Sequence, residues 1–191
     1  MDYSREMRNP SGDNKTHLEQ KLNEIFSYLA RGKKFHYNQS FGLRNLGLRG
    51  IANLHDKESI CDYKSMISIK KTINDRLHWT PSIDESISKE YENYKISSMA
   101  DFKNSFAIWQ KNETELEDCI SETLKLASME DLMLYNELIC LGKEVQEERF
   151  RSEAIYTRLN LGEWGGHDIA RISKDIHCHL EKENNLDFTL S

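Results

Sequence analysis

The sequence predicts an all-α protein: a bundle of four long helices with one long crossover between the second and third, closed by a short fifth helix. Three observations carry this. Apolar residues recur at steps of three and four over long tracts, and no alternating Val/Thr-rich runs compete with them. Proline occurs only at Pro10 and Pro81, which leaves two long tracts where helices can run without interruption. The tracts are separated by short gaps, except for about 18 residues from Ser82 to Met99 that carry no strong apolar stripe.

Residues 1–15 are rich in Asn, Ser, Gly and Asp and read as a flexible arm. The first helix is expected from about Thr16 to Tyr37, on Leu18, Leu22, Ile25, Phe26 and Leu29, with Thr16 and Glu19 spaced as a capping box. Asn38 to Asn45 reads as a connection. The second helix then runs to about His78 through Ile51, Leu54, Cys61, Ile69, Ile73 and Leu77, and Trp79-Thr-Pro81 stops it. A loop as long as the one that follows needs a geometric task, and crossing the length of a bundle supplies one, making the third helix parallel to the second.

The third helix covers roughly 99–127 and the fourth roughly 131–159. The tight turn between them makes these two antiparallel neighbours. Leu161-Gly-Glu-Trp-Gly-Gly166 ends the fourth helix, and Ile169, Ile172, Ile176 and Leu180 place a last helix at about 167–180. Residues 182–191 read as a tail.

Two acids break this pattern. The third-helix stripe is Phe102, Phe106, Trp109, Leu116, Ile120, Leu124 and Ala127, and Glu113 falls in its middle. A buried carboxylate must be paired, protonated, bound to a metal or kept wet. His55 or Lys33 could neutralise Glu113 as a purely structural partner; a cation is the alternative. Glu148 stands on the fourth-helix stripe, where a flank position reaching solvent explains it more simply.

Composition excludes several classes. A net charge of −6, from 32 acidic and 26 basic residues, offers no basic patch for nucleic acid. No run approaches the roughly 18 apolar residues of a membrane span, and the polar N-terminal stretch has no apolar core for a signal peptide. Cys61, Cys119, Cys140 and Cys178 make no CxxC pair and read as reduced thiols of a cytoplasmic protein. His177 and His179, two apart, point to opposite sides of a helix and cannot share one ion within a chain.

Several runs point to a family. Leu48-Arg-Gly-Ile-Ala52-Asn-Leu resembles the start of the second helix of ferritins, where a Leu-Lys-Gly/Asn-Phe-Ala pattern precedes the acidic metal-binding turn. Trp109 to Ala127, with Glu113 and the closing Glu122-Thr-Leu-Lys-Leu-Ala127, resembles the ferritin third helix. Lys143-Glu144-Val-Gln and Thr157-Arg-Leu159 are similar to the fourth helix and its end. The resemblance spans residues 16–180 and implies a ferritin-like four-helix bundle over 16–181. It also implies iron as the cofactor with no organic one, and a homo- or hetero-oligomeric shell of twenty-four subunits in the cytoplasm.

Position by position, the resemblance puts Glu113 at the third-helix carboxylate of the ferritin iron centre and Asp62 at the second-helix bridging glutamate. Ser65 stands where a histidine is expected, and Val145 where the fourth helix has a polar residue. Glu24 reaches the first-helix glutamate position with three residues inserted; without them Ser27 stands there. The implied residual iron site is therefore Glu24, Asp62 and Glu113, with Glu58 as a mineral-nucleating carboxylate. Oxidation of Fe(II) by O₂ at such a centre needs two irons held by carboxylates and imidazoles. The expected function is accordingly iron storage by a non-catalytic or weakly active, light-chain-like subunit. The alternatives are a helical interaction or scaffold protein without iron chemistry, and a slow ferroxidase with an incomplete di-iron site.

Overall fold

The computed structural model describes residues 12–127 and 131–189, with side chains over 17–127 and 131–180. Its helices are α1 (Gly12–Asn45), α2 (Arg49–Leu77), α3 (Glu85–Ser88), α4 (Met99–Ala127), α5 (Leu132–Leu161) and α6 (Gly166–Thr189). The all-α bundle with one long crossover is thus the observed architecture. Among the described residues no helix is long and apolar enough to cross a membrane.

The first helix is longer than expected at both ends. It starts at Gly12, four residues before the expected cap at Thr16; the arm expected over 1–15 otherwise lies outside the described residues. At its other end it absorbs 38–45, read above as a connection. Gly42 is there for closeness: a Cβ on it would lie 2.4 Å from the Ile96 carbonyl oxygen. Leu43 fills the core one position later.

A left-handed His78 and then Pro81 end α2. The crossover contains the short α3, capped by Asp84, whose carboxylate accepts from the Ser86 amide. Polar side chains of α1 hold the crossover in chain order: Asn23 Oδ1 accepts from the Ser82 amide at 2.7 Å, and Ser27 Oγ from the Asp84 amide at 2.7 Å. Farther up, Arg31 pairs with Glu90, and Gln39 Nε2 donates to the Tyr94 carbonyl at 3.3 Å. The crossover therefore runs parallel to α1, so α4 starts beside the C-terminal end of α1 and descends parallel to α2.

Asp131 caps α5, accepting from the amides of Met133 and Leu134. The turn residues 128–130 lie outside the described residues. The last helix, α6, packs on the start of α2, where Ser173 Oγ accepts from the Gly50 amide at 3.0 Å. It continues to Thr189, through most of the stretch expected to be a tail.

The apolar core is in two parts. One gathers Leu22, Ile25, Leu29, Ile69, Ile73, Leu116, Ile120, Leu134 and Leu138. The other gathers Phe35, Leu43, Ile51, Phe102, Phe106, Trp109, Ile155 and Leu159. Between them α1, α2, α4 and α5 each turn polar residues inward at the same level, and this layer is where the chemistry lies.

Candidate metal centre

The layer is built from His36 on α1, His55, Glu58 and Asp62 on α2, Asn112 and Glu113 on α4, and Glu148 on α5, all buried. Each occupies an inward helical position, the spacing that elsewhere on the same helix supplies Leu, Ile or Trp. Glu148 is only 7% exposed. It does not reach solvent as a flank residue would. Trp109 Nε1 donates to its Oε1 at 2.9 Å, and His36 Nε2 lies 3.0 Å from the same oxygen.

That His36 contact is close but not directed as a hydrogen bond. The other ring nitrogen explains what it can do. His36 Nδ1 and His55 Nδ1 are 2.7 Å apart, so one donates and the other accepts. When His36 donates, its Nε2 carries a bare lone pair facing the carboxylate, the form a metal requires of an imidazole whose other nitrogen is tied to a partner. A separation of about 3 Å suits two donor atoms that both sit roughly 2.1 Å from one ion.

Glu113 completes the convergence. One donor atom from each of His36, Glu113 and Glu148 lies within 4.8 Å of the other two. Asn112 Nδ2 donates to Glu113 Oε1 at 3.0 Å, while Oε2 has no hydrogen-bond partner. Neither structural partner weighed for Glu113 serves it: His55 Nδ1 is engaged with His36, and Lys33 Nζ sits 4.6 Å over the Tyr63 ring. Asn112 is itself oriented by Arg31, whose Nε donates to Oδ1 at 2.7 Å. Gly32 makes room beside this group, since a Cβ there would meet Asp62 Oδ2 at 2.7 Å and Asn112 Nδ2 at 3.1 Å.

Crowding buried acids raises their pKa values. Burial, then the charge of Glu148, pushes Asp62 and Glu113 well above the usual carboxylate range. The same two causes lift Glu58 to about 7, against the pull of Arg151. Burial and the neighbouring His36 hold His55 well below the usual imidazole value, so its ring is neutral. Buried acids with no cation to balance them are costly, several kcal/mol per ion; a bound cation would relieve them together.

The four residues implied by the sequence fare differently. Asp62 and Glu113 enter the layer. Glu58 enters it too, but buried and paired with Arg151 and not displayed on an open inner face. Glu24 is not brought to them. It pairs with Lys21 at 2.8 Å and accepts from the Cys119 thiol at 3.7 Å, about 12 Å along α1 from Gly32. Ser27, its gapless substitute, holds the crossover. Ser65 donates to Glu144 outside the layer, and Val145 lies in the apolar core.

His36 and Glu148 were not foreseen as ligands. A signal existed for His36: extending the stripe Leu22, Ile25, Leu29 past Tyr37 to Leu43 puts it on the inner face.

Comparison with solved structures decides the fold. An open-pore ferritin from Archaeoglobus fulgidus superposes with a TM-score of 0.71 at 15% identity, over 84% of this chain and 96% of that one. The fold is ferritin-like. A humanised archaeal ferritin matches this ferritin-like chain with a TM-score of 0.70 at 16% identity, over 85% of this chain and 96% of that one. A Desulfovibrio desulfuricans bacterioferritin, described with a diiron site, matches with a TM-score of 0.69 at 16% identity, over 84% and 88%. No protein-family model and no curated protein matches the sequence. Identities this low mean that the ferritin-like fold is held by the helical pattern and connection lengths.

Proposed function

We propose that this ferritin-like chain binds iron in the polar layer and serves as a non-catalytic or weakly active iron-storage subunit. The observation that carries this is the convergence of His36, Glu113 and Glu148 from three helices. Two of the polar atoms in this layer, Asp62 Oδ2 and Glu113 Oε2, are buried without a hydrogen-bond partner. A scaffold protein would gain stability by replacing such acids with apolar residues, which weighs against that alternative.

The donor set suits iron. Carboxylates together with imidazole, and no thiolate among the converging atoms, favour Fe(II), Mn(II) or Zn(II) over soft ions. His36 and Glu148 would hold the ion together with Glu113. Trp109 and Asn112 would keep two of the carboxylates turned the right way. The ion would supply positive charge, and iron in addition a ferrous–ferric couple.

Assembly has its own support. Tyr37 and Phe41 on α1 and Ile60, Tyr63 and Ile67 on α2 are exposed. The contact of Lys33 with the Tyr63 ring shows that these two rows share a face. A set of exposed apolar residues of this kind fits a second subunit, its own or a related one, and a shell repeats such contacts. The unpaired cysteines suit a cytoplasmic setting.

The test is iron content. Protein expressed in iron-supplemented cells and purified without chelator should retain iron, and Glu113→Gln should retain much less. Equal iron in the two proteins, or none in either, would overturn the proposal.

A further inference from the structure

We infer that the polar layer is a site for a single cation, because the guanidinium of Arg151 stands where a second ion would have to sit. This rests on the metal reading above and deepens it. Paired-iron centres in helical bundles draw a glutamate from each of two helices and a Glu-x-x-His pair from each of the other two, so that both ions have imidazole and share carboxylates. Three positions after the acids of the layer stand Arg151 after Glu148, Cys61 after Glu58, Ser65 after Asp62 and Leu116 after Glu113, so none of them supplies an imidazole at the fourth position.

The histidines enter elsewhere, from α1 and from an earlier position on α2. His36 faces Glu148, while His55 is spent supporting His36 through Nδ1. The carboxylate of Glu58 is held by Arg151 reaching in from α5. Arg151 is 38% exposed and Glu58 almost wholly buried, so the guanidinium enters from the rim with its charged end against the acid.

A guanidinium keeps its proton throughout the physiological range and has no lone pair for a metal. It satisfies the charge of Glu58 while repelling any cation that approaches it. Two ions about 3.5–4 Å apart need a carboxylate between them and ligands beyond each. Here Glu58 is occupied by Arg151, and no imidazole stands three residues after an acid of the layer. The buried guanidinium of Arg31 is committed to Glu90, to Glu115 at 2.5 Å and to Asn112, so among the described residues Arg151 is the cation that meets Glu58.

The consequence is chemical. One Fe(II) yields one electron, whereas reduction of O₂ to peroxide consumes two. A single-ion layer therefore cannot complete that reduction within one chain.

Cobalt(II) tests this without reference to activity. The full-length apo protein is titrated with CoCl₂, passed through gel filtration to strip weak surface ions, and assayed for cobalt per chain. The unmodified chain should retain about one Co(II), Glu113→Gln next to none, and Arg151→His, which restores an imidazole and removes the charge, about two. Arg151→Gln serves as a second variant, expected to admit a weaker second ion visible before gel filtration; circular dichroism checks that each variant folds. Two cobalt ions in the unmodified chain would overturn the inference and leave the metal reading standing. No cobalt in the unmodified chain would overturn the metal reading itself. A single ion in folded Arg151→His and Arg151→Gln would overturn the role given to Arg151.

Discussion

His36 Nε2 and Glu148 Oε1 meet 3.0 Å apart across the bundle, close enough to bond and directed so that they do not. Two buried donor atoms in that relation have the spacing of two ligands of one ion, which is the reading proposed above. Glu148 is meanwhile held by the Trp109 indole and His36 by His55, so neither is free to turn toward the other.

Removing each histidine should therefore cost differently. His36→Ala deletes a ligand and should nearly abolish Co(II) retention. His55→Ala deletes only the partner that fixes the His36 tautomer, and should weaken affinity roughly 10- to 100-fold without changing stoichiometry. Equilibrium dialysis of both variants checks the order.

The metal-free protein should lose stability as pH rises. Glu58 has its carboxyl lifted from 4.5 to about 7 in the fold. A raised folded value means that the native state holds a proton the unfolded state has released. The stabilisation is complete below about 4.5 and lost as pH climbs through about 7, on the order of 3 kcal/mol for this group. Asp62 and Glu113 act in the same direction. Thermal melts of the apo protein across this range should show a falling Tm, a shallower fall in Glu58→Gln, and recovery at neutral pH on adding metal.

Gly32→Ala should be more damaging than its size suggests. The added carbon would stand 2.7 Å from Asp62 Oδ2. Overpacking of this kind costs about 1–3 kcal/mol, and the displaced carboxylate should weaken metal binding as well. Chemical denaturation with and without Co(II) measures both effects.

The face bearing Tyr37, Phe41, Ile60, Tyr63 and Ile67 should control assembly. Ile60→Glu together with Ile67→Glu should shift the protein to smaller species in light scattering while leaving its helical content unchanged. Retention of the parental mass would show that assembly uses another surface.

Much of the fold was legible because helices announce themselves locally. The stripe of α4, the stop at Pro81, and the tight turn into Asp131 are read from neighbouring residues. The extension of α1 to Asn45 was not, since Gly42 has its reason 54 positions away, at the carbonyl of Ile96. The odd acids were visible on their stripes, Glu113 most clearly. Their company was not: Glu24 fitted a ligand pattern by sequence position yet packs beside Lys21 and Cys119.

The sequence by itself determined the helices, their order, the crossover and the presence of acids on inward faces, because periodicity and chain connectivity are properties of short stretches. Only the tertiary structure decided which of those acids share a level, and that depends on how far one helix slides along another. A slide of one turn exchanges Asp62 for Glu58 or Val145 for Glu148, with little change in the apolar pattern. Packing settled it, placing His36, Glu113 and Glu148 around one point and Arg151 against Glu58.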